Sequence, residues 1–171
     1  SGGQADVPIT FRSVCGAIGS AAAQHSETVY SQFMSVPGLK IVVPSGPRDM
    51  KGLLKSAIRD NNPVLVFEHL KLGRAKEEVP DEDSVIPLGE AEVKREGTDV
   101  TIVAIGFMVS QALKAAKSLE QDGISAEVVD PRTLIPLDEE AILSSVAKTH
   151  KVLVVDEAHL RCGAAAEIAA V

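Results

Sequence analysis

The feature that most constrains the fold is an alternation of short apolar runs with segments of helical periodicity along the 171 residues. The apolar runs that we interpret as strands are 39–43, 64–67, 100–105, 126–129 and 152–155. Apolar residues at helical spacing occupy 47–60, 109–119 and 138–148. Strands that alternate with helical patterns of about 10–15 residues indicate α/β units built on parallel sheets. The sequence therefore predicts an α/β protein with doubly wound parallel sheets.

Weaker patterns complete the predicted elements. Residues 8–11 predict a short first strand, and Ser26 has the position of an N-cap for a helix that Pro37 ends. A short strand is predicted near Leu88, and a last helix is predicted from Ala164 onwards.

The character of the sequence changes between two groups of these elements. Residues 73–92 are rich in charge and contain Pro80 and Pro87, which is typical of a linker. We therefore predict a first unit over 1–72, a linker over 73–92 and a second unit over 93–171.

Composition excludes several classes of protein. A net charge of −7 disfavours non-specific nucleic-acid binding, and an aromatic content of 3% disfavours base-stacking surfaces. The longest apolar stretch, 100–109, has about half the ~20 residues that a membrane span needs. Cys15 and Cys162 are too few for a disulfide framework, which indicates a reducing compartment. We expect the cytoplasm if the source is bacterial, and the mitochondrial matrix or a plastid if it is eukaryotic. Because the chain begins with Ser1, we expect it to be part of a longer protein.

Several segments together carry a family resemblance. In the first unit they are Ala22–Ser26, Val36–Ser45 and Lys51–Val64. In the second unit they are Ile86–Gly89, Arg95–Thr101, Arg132–Leu134, Pro136–Asp138 and Glu157–His159. In their order and spacing they resemble the beta subunit of the thiamine-diphosphate-dependent decarboxylase component of 2-oxo acid dehydrogenase complexes.

The resemblance implies a fold for each unit. It makes 1–72 the second half of a transketolase-like pyrimidine-binding domain and 93–171 a truncated transketolase C-terminal-like domain. The implied enzyme is an oxidoreductase that decarboxylates a pyruvate-like 2-oxo acid and transfers the acyl group to a lipoyl group.

The resemblance also implies cofactors and partners. Thiamine diphosphate would be shared with an alpha subunit that holds magnesium, and the activating glutamate is expected upstream of Ser1. The implied assembly is an alpha–beta heterotetramer that binds the lipoyl acyltransferase core.

His25 is the strongest candidate for a catalytic residue. It follows a Gly- and Ala-rich stretch and precedes the predicted helix, at the sheet edge where ligands of open α/β folds gather. A helix N-terminus at that point would keep the imidazole neutral. From the residue pattern alone, a histidine satisfied by backbone groups is the more common case. The resemblance implies an active-site histidine that orients the substrate and assists proton transfer.

The segment Asp60–Pro63 ends the predicted helix 47–60. By itself this pattern indicates an ordinary helix C-terminal turn, whose carbonyl oxygens carry partial negative charge. The resemblance implies a structural potassium ion held by oxygen atoms of Ala57, Asp60 and Asn62.

Other polar residues at predicted strand ends have open roles. Glu68, Glu157 and His159 could anchor loops or take part in chemistry, and Arg132 is predicted to be an anchor on a domain surface. Phe107 stands where relatives often have an arginine.

Three alternative functions remain open at this point. The chain could be the beta subunit of an acetoin dehydrogenase, or a non-catalytic assembly subunit of the same fold. A single-chain transketolase that acts on sugar phosphates would need basic residues close to His25, and none is adjacent in the sequence.

Overall fold

The predicted alternation of strands and helices forms two four-stranded sheets in a computed structural model, which describes residues 4–17 and 21–171. The strands are β1 (Thr10–Cys15), β2 (Lys40–Val42), β3 (Val64–His69), β4 (Glu92–Arg95), β5 (Val100–Ala104), β6 (Ala126–Asp130), β7 (Thr133–Ile135) and β8 (Val152–Val155). The helices are α1 (Pro47–Arg59), α2 (Phe107–Gln121), α3 (Glu139–Thr149) and α4 (Ala164–Ile168). Short 3-10 helices lie at Ala23–His25, Tyr30–Phe33 and Leu70–Arg74.

The first sheet has the order β1-β3-β2-β7, and the second has the order β4-β6-β5-β8. Strands β1, β3 and β2 are parallel, as are β6, β5 and β8. Each sheet carries one antiparallel edge strand, β7 on the first and β4 on the second. The predicted α/β architecture of two units is confirmed, whereas the antiparallel edges are not predicted by the sequence.

A helix covers one face of each sheet. In the first sheet, Leu53 and Ala57 of α1 pack on Val64 and Val66. In the second sheet, Ala112 and Ala116 of α2 belong to a separate core cluster around β5 and β6. In the described part of the chain, no helix has the length and apolar character needed to cross a membrane.

The largest core cluster joins the two sheets. It contains Ile41 and Phe67 from the first sheet together with Val103 and Val129 from the second. We call this contact between the sheets the seam. Strand β7 follows β6 of the second sheet after only Pro131 and Arg132, and it pairs with β2 of the first sheet. The chain therefore crosses from one sheet to the other at these two residues.

The helix predicted from Ser26 to Pro37 is wrong. Ser26 is instead the C-cap residue of the 3-10 helix Ala23–His25, and a second 3-10 helix follows at Tyr30–Phe33. Packing explains the difference, because the rings of Tyr30 and Phe33 both pack on Phe67, at centroid distances of 5.8 and 6.1 Å.

Three other predicted boundaries are also wrong. Strand β1 starts and ends later than 8–11, because it is an edge strand whose central side chains are exposed and show no burial pattern. Leu88 is not in a strand: it packs against the core under α1, and the nearby strand β4 is polar. Helix α4 ends at Ile168, and in the turn that follows the backbone N–H of Ala170 donates a hydrogen bond to Glu167 O (3.0 Å).

Candidate functional site

The carboxyl ends of three strands meet at one end of the seam. Strand β1 ends at Cys15, β3 ends at His69, and Asp156 and Glu157 follow β8. In open α/β sheets, ligands bind at the carboxyl edge of the strands. This end of the seam is therefore the candidate functional site.

His69 is fixed between the two sheets. Its Nδ1 accepts a hydrogen bond from the backbone N–H of Lys71 at 3.2 Å, so the neutral ring carries its proton on Nε2 and donates it to Glu157 Oε2. The imidazole also stacks on Phe107, with ring centroids 4.7 Å apart and planes at 15°. The ammonium of Lys71 lies 5.0 Å from the centroid of the same phenyl ring. Phe107 thus completes the packing around His69.

Tyr30 makes the second contact with the strand end of β8. Its hydroxyl donates a hydrogen bond to Asp156 Oδ1, which also accepts the backbone N–H of Ala158 at 3.1 Å. Burial raises the pKa of the Tyr30 phenol, and the charge of Asp156 raises it further. The phenol therefore remains protonated and acts as a donor.

Cys15 lies beside these groups as a buried thiol. Burial raises its pKa to about 12, and the charges of Glu157, Asp156 and Glu68 contribute to this shift. Because the thiolate is the nucleophilic form, Cys15 is unreactive at neutral pH. Glu68 is paired with Arg12 (2.6 Å), which anchors the end of β3 to the edge strand β1.

His25 lies on the wall of an adjacent cavity. It is the last residue of the 3-10 helix Ala23–His25 and is exposed. The cavity has a volume of about 250 Å³ and is lined by Ser13, Val14, Cys15, Gln24, His25, Glu27, Val29 and Leu70. The predicted environment is wrong, because in the described part of the chain no helix begins at Ser26, directly after the imidazole. The prediction that His25 lies near a sheet edge where ligands gather agrees with this position.

The predicted potassium ligands lie in one turn at the end of α1. Ala57 O accepts the backbone N–H of Asp60 at 3.3 Å, and Asp60 Oδ1 accepts bonds from Asn62 N (2.8 Å) and Nδ2 (3.0 Å). Lys40, which sequence reasoning missed, pairs with Asp60 Oδ2. Burial alone would raise the pKa of Asp60, but Lys40 and Asn62 outweigh it and lower that pKa.

A buried charge cluster crosses the seam away from His25. Arg132 binds Asp49 at the start of α1 and Glu92 of β4, and Lys94 also binds Asp49 (2.8 Å). Arg132 is an anchor as predicted, but it is buried at the seam and not on a domain surface. Sequence reasoning missed its partners because they come from separate segments with no common motif. In the described residues, no group of three or more His, Cys, Asp or Glu side chains converges as a metal site.

Comparison with known families assigns both halves of the chain. The family model of the transketolase pyrimidine-binding domain matches residues 1–76, and that of the transketolase C-terminal domain matches residues 89–171. The chain belongs to the transketolase family. The transketolase-like domains that the resemblance implies for the two parts of the chain are thereby confirmed.

Three relatives of this transketolase-family chain come from Bacillus subtilis (strain 168). It is 54% identical over 99% of its length to the beta subunit of acetoin:2,6-dichlorophenolindophenol oxidoreductase, covering 49% of that protein. It is 50% identical over 99% of its length to the beta subunit of the pyruvate dehydrogenase E1 component, covering 53%. It is 51% identical over 96% of its length to the beta subunit of 2-oxoisovalerate dehydrogenase, covering 50%.

The fold has a counterpart among solved structures. A split-gene transketolase, described as an inactive beta4 tetramer, superposes with a TM-score of 0.82 at 29% identity, covering 96% of this chain and 54% of that one. The chain thus spans about half the length of the curated relatives and of the solved structure that it matches.

Proposed function

We propose that this chain is part of the beta subunit of a 2-oxo acid dehydrogenase complex. The complete enzyme carries out thiamine-diphosphate-dependent oxidative decarboxylation of a pyruvate-like 2-oxo acid and passes the acyl group to a lipoyl group. The observation that carries this proposal is the high identity, over nearly the whole chain, to beta subunits of such dehydrogenases. We propose the same division as in the sequence analysis: a pyrimidine-domain part over 1–72, a linker over 73–92 and a C-terminal-like part over 93–171.

The residues around His25 fit one part of the cofactor. Val14, Val29 and Leu70 offer apolar walls for a flat ring, and Gln24 and His25 offer polar groups at its edge. Polar and apolar side chains share the lining about equally, and cofactor sites combine apolar walls with polar groups that fix the orientation of the ligand. Thiamine diphosphate, when bound, supplies an ylid that stabilises the carbanion formed on decarboxylation. An alpha subunit would hold the diphosphate and its magnesium.

His25 would orient the substrate and move a proton. Its imidazole is exposed at the cavity wall, so a substrate in the cavity can approach the ring. A histidine held within hydrogen-bond reach of a reacting group is the most common general acid or base in enzymes.

The proposed partners are an alpha subunit, in a heterotetramer, and the lipoyl acyltransferase core. Edge strand β1 leaves Phe11 and Val14 half exposed, at 50% and 59%. Exposed apolar side chains at a sheet edge favour coverage by further protein. We propose a bacterial cytoplasm as the compartment, since the relatives described above are bacterial.

An acetoin dehydrogenase is the second candidate. The acetoin oxidoreductase subunit shares more identity with this chain than the two oxo-acid relatives described above. Assaying one preparation of the complete enzyme with pyruvate, a branched-chain 2-oxo acid and acetoin separates the candidates, because kcat/KM will favour one substrate.

We also propose a structural potassium ion at Ala57, Asp60 and Asn62. Carbonyl and carboxylate oxygens of one turn supply the hard ligands that such a cation prefers. Lys40 competes for the same carboxylate, so its ammonium and potassium would share Asp60.

The catalytic proposal is tested in the complete beta subunit assembled with its alpha subunit. We expect His25→Asn to lower turnover on the order of a hundredfold, the usual effect of removing a general acid or base. His150→Asn is the matched control: His150 is exposed at the end of α3 with a left-handed backbone that asparagine tolerates. Equal turnover in His25→Asn and His150→Asn, with unchanged cofactor affinity, would contradict the role of His25.

A further inference from the structure

We propose that Asp156 and Glu157, from the second half of the chain, are positioning residues for His25. This inference rests on the proposed function of His25. The two carboxylates are adjacent in sequence, yet they hold two different parts of the first half, Tyr30 and His69. Together these contacts fix the stretch of residues 21–30 that carries His25.

The contact between Glu157 and His69 acts on the His25 stretch through Gly16. The N–H of Gly16 donates to Glu27 O at 3.1 Å, which ties the end of β1 to the residue two positions after His25. Gly16 lies directly against His69: a Cβ at this position would be 1.9 Å from His69 Nε2. Gly16 also has a φ of +101°, which glycine adopts without strain. The His69 ring thus packs against Gly16 and supports the backbone that is hydrogen-bonded to Glu27.

The orientation of His69 depends on Glu157. Lys71 fixes only Nδ1, and Phe107 packs on one face of the ring. The bond from Nε2 to Glu157 defines the remaining rotation of the ring, as a carboxylate does for a histidine in other sites. A ring that turned away from Glu157 would no longer support Gly16 in its present place.

The contact between Asp156 and Tyr30 holds the chain five positions after His25. Tyr30 is 3% exposed and is bound between the Phe67 ring and Asp156. Asp156 is itself held by the backbone N–H of Ala158. The second half of the chain therefore restrains the His25 stretch at two points, at Glu27 through Gly16 and His69, and at Tyr30. Glu157 has its role at the first of these points.

The test uses the complete subunit with its alpha partner. Glu157→Gln keeps an oxygen that accepts the His69 proton, whereas Glu157→Leu has a similar volume and no acceptor. We expect Glu157→Leu to lower kcat on the order of a hundredfold with KM unchanged, the scale of a misplaced catalytic group. Glu157→Gln should keep turnover close to that of the parent. Tyr30→Phe, which keeps the packing on Phe67, should also lower kcat. Glu167→Leu on the exposed side of α4 is the control.

A second measurement does not depend on activity. Amide hydrogen exchange in peptides covering residues 21–30 should accelerate in Glu157→Leu and stay at the parent rate in Glu157→Gln and Glu167→Leu. Unchanged exchange in Glu157→Leu, or equal loss of kcat in the Gln and Leu variants, overturns the positioning role. If amide hydrogen exchange in the parent and the variants is as expected, but the parent enzyme decarboxylates no 2-oxo acid and cleaves no acetoin, the proposed function is contradicted instead.

Discussion

Arg132 Nε lies 3.0 Å from Asp49 Oδ1, and its Nη2 lies 2.9 Å from the same oxygen. Both residues are buried, with 8% and 1% of their surfaces exposed, and they come from opposite sides of the seam. Burial alone would raise the pKa of Asp49, but Lys94 and Arg132 outweigh it and lower that pKa. The two halves of the chain are therefore joined by buried charge as well as by apolar packing.

Removing this arginine should destabilise the protein. We expect Arg132→Met to lower the free energy of unfolding by about 3 kcal/mol, because it leaves a buried carboxylate short of a partner. Urea unfolding of the complete subunit measures the change. Arg161→Met is the control, since Arg161 is exposed. Equal stability of the two variants would show that the Arg132 pair does not stabilise the seam.

Asp130, beside the same buried charge cluster, makes the free energy of unfolding depend on pH. Burial, together with the charge of Asp49, raises the pKa of Asp130 to about 6, although Lys94 opposes the shift. An unfolded aspartate titrates near pH ~3.9, so between about pH 4 and 6 the folded state binds more protons than the unfolded state. Its contribution to stability therefore falls by about 3 kcal/mol as the pH rises through that window.

Asp130→Asn isolates this effect. Asparagine keeps an oxygen to accept the Arg132 backbone N–H, which lies 2.9 Å from Asp130 Oδ1, and it does not titrate. We expect the variant to gain stability relative to the parent as the pH rises from about 4 to 7, with a constant difference above that. Unfolding at several pH values measures it. A difference that does not change with pH would place the pKa of Asp130 in its ordinary range.

Helices α1, α2 and α3 and the buried strands could be predicted from the sequence, whereas the site contacts could not. Helix α1 shows apolar residues at helical spacing after Pro47, and Asp138 caps α3 by accepting the N–H of Ala141 at 3.1 Å. These signals are local. Strand β4 has one apolar residue among its four, and β7 has only two apolar residues, so neither contains an apolar run like that of β8.

The candidate site combines a local motif with distant pairs. His25 could be found because the residues around it form a family motif. The pair His69–Glu157 joins residues 88 positions apart, and Tyr30–Asp156 joins residues 126 apart. No periodicity or spacing reports such contacts, since they depend on how the two sheets pack.

Close backbone packing at Gly97 leads to a third prediction. A Cβ at this position would lie 2.2 Å from Glu127 N and 2.3 Å from Ala126 C, and neither backbone atom can move without disturbing β6. We expect Gly97→Ala to lower the free energy of unfolding by about 3 kcal/mol, the cost of overpacking a close contact. Gly73→Ala is the matched control, because no atom lies within 4 Å of its added Cβ. A similar stability for both variants would contradict the close packing of Gly97 on β6.

The potassium proposal is tested by exchanging the cation. Replacing potassium with tetramethylammonium should lower the thermal midpoint of the complete subunit, because the ion binds only the folded turn. Lys40→Met removes the competing ammonium and should enlarge the shift, whereas Asp60→Asn should abolish it. A midpoint that is independent of the cation in the parent and in Lys40→Met would exclude the ion from this turn.

The passage of the chain from β6 to β7 has a consequence for fragments of the molecule. Strand β7 occupies the edge of the first sheet beside β2, and short segments join it to β6 on one side (Pro131 and Arg132) and to α3 on the other. A protease that cut the exposed residues 75–78 would therefore yield two pieces that remain associated without a covalent link. Neither piece would be self-sufficient, because the N-terminal piece would lack an edge strand and the C-terminal piece would expose β7. The boundary between the halves in sequence is thus not a boundary in space, and the two pieces would have to complement each other to restore the fold.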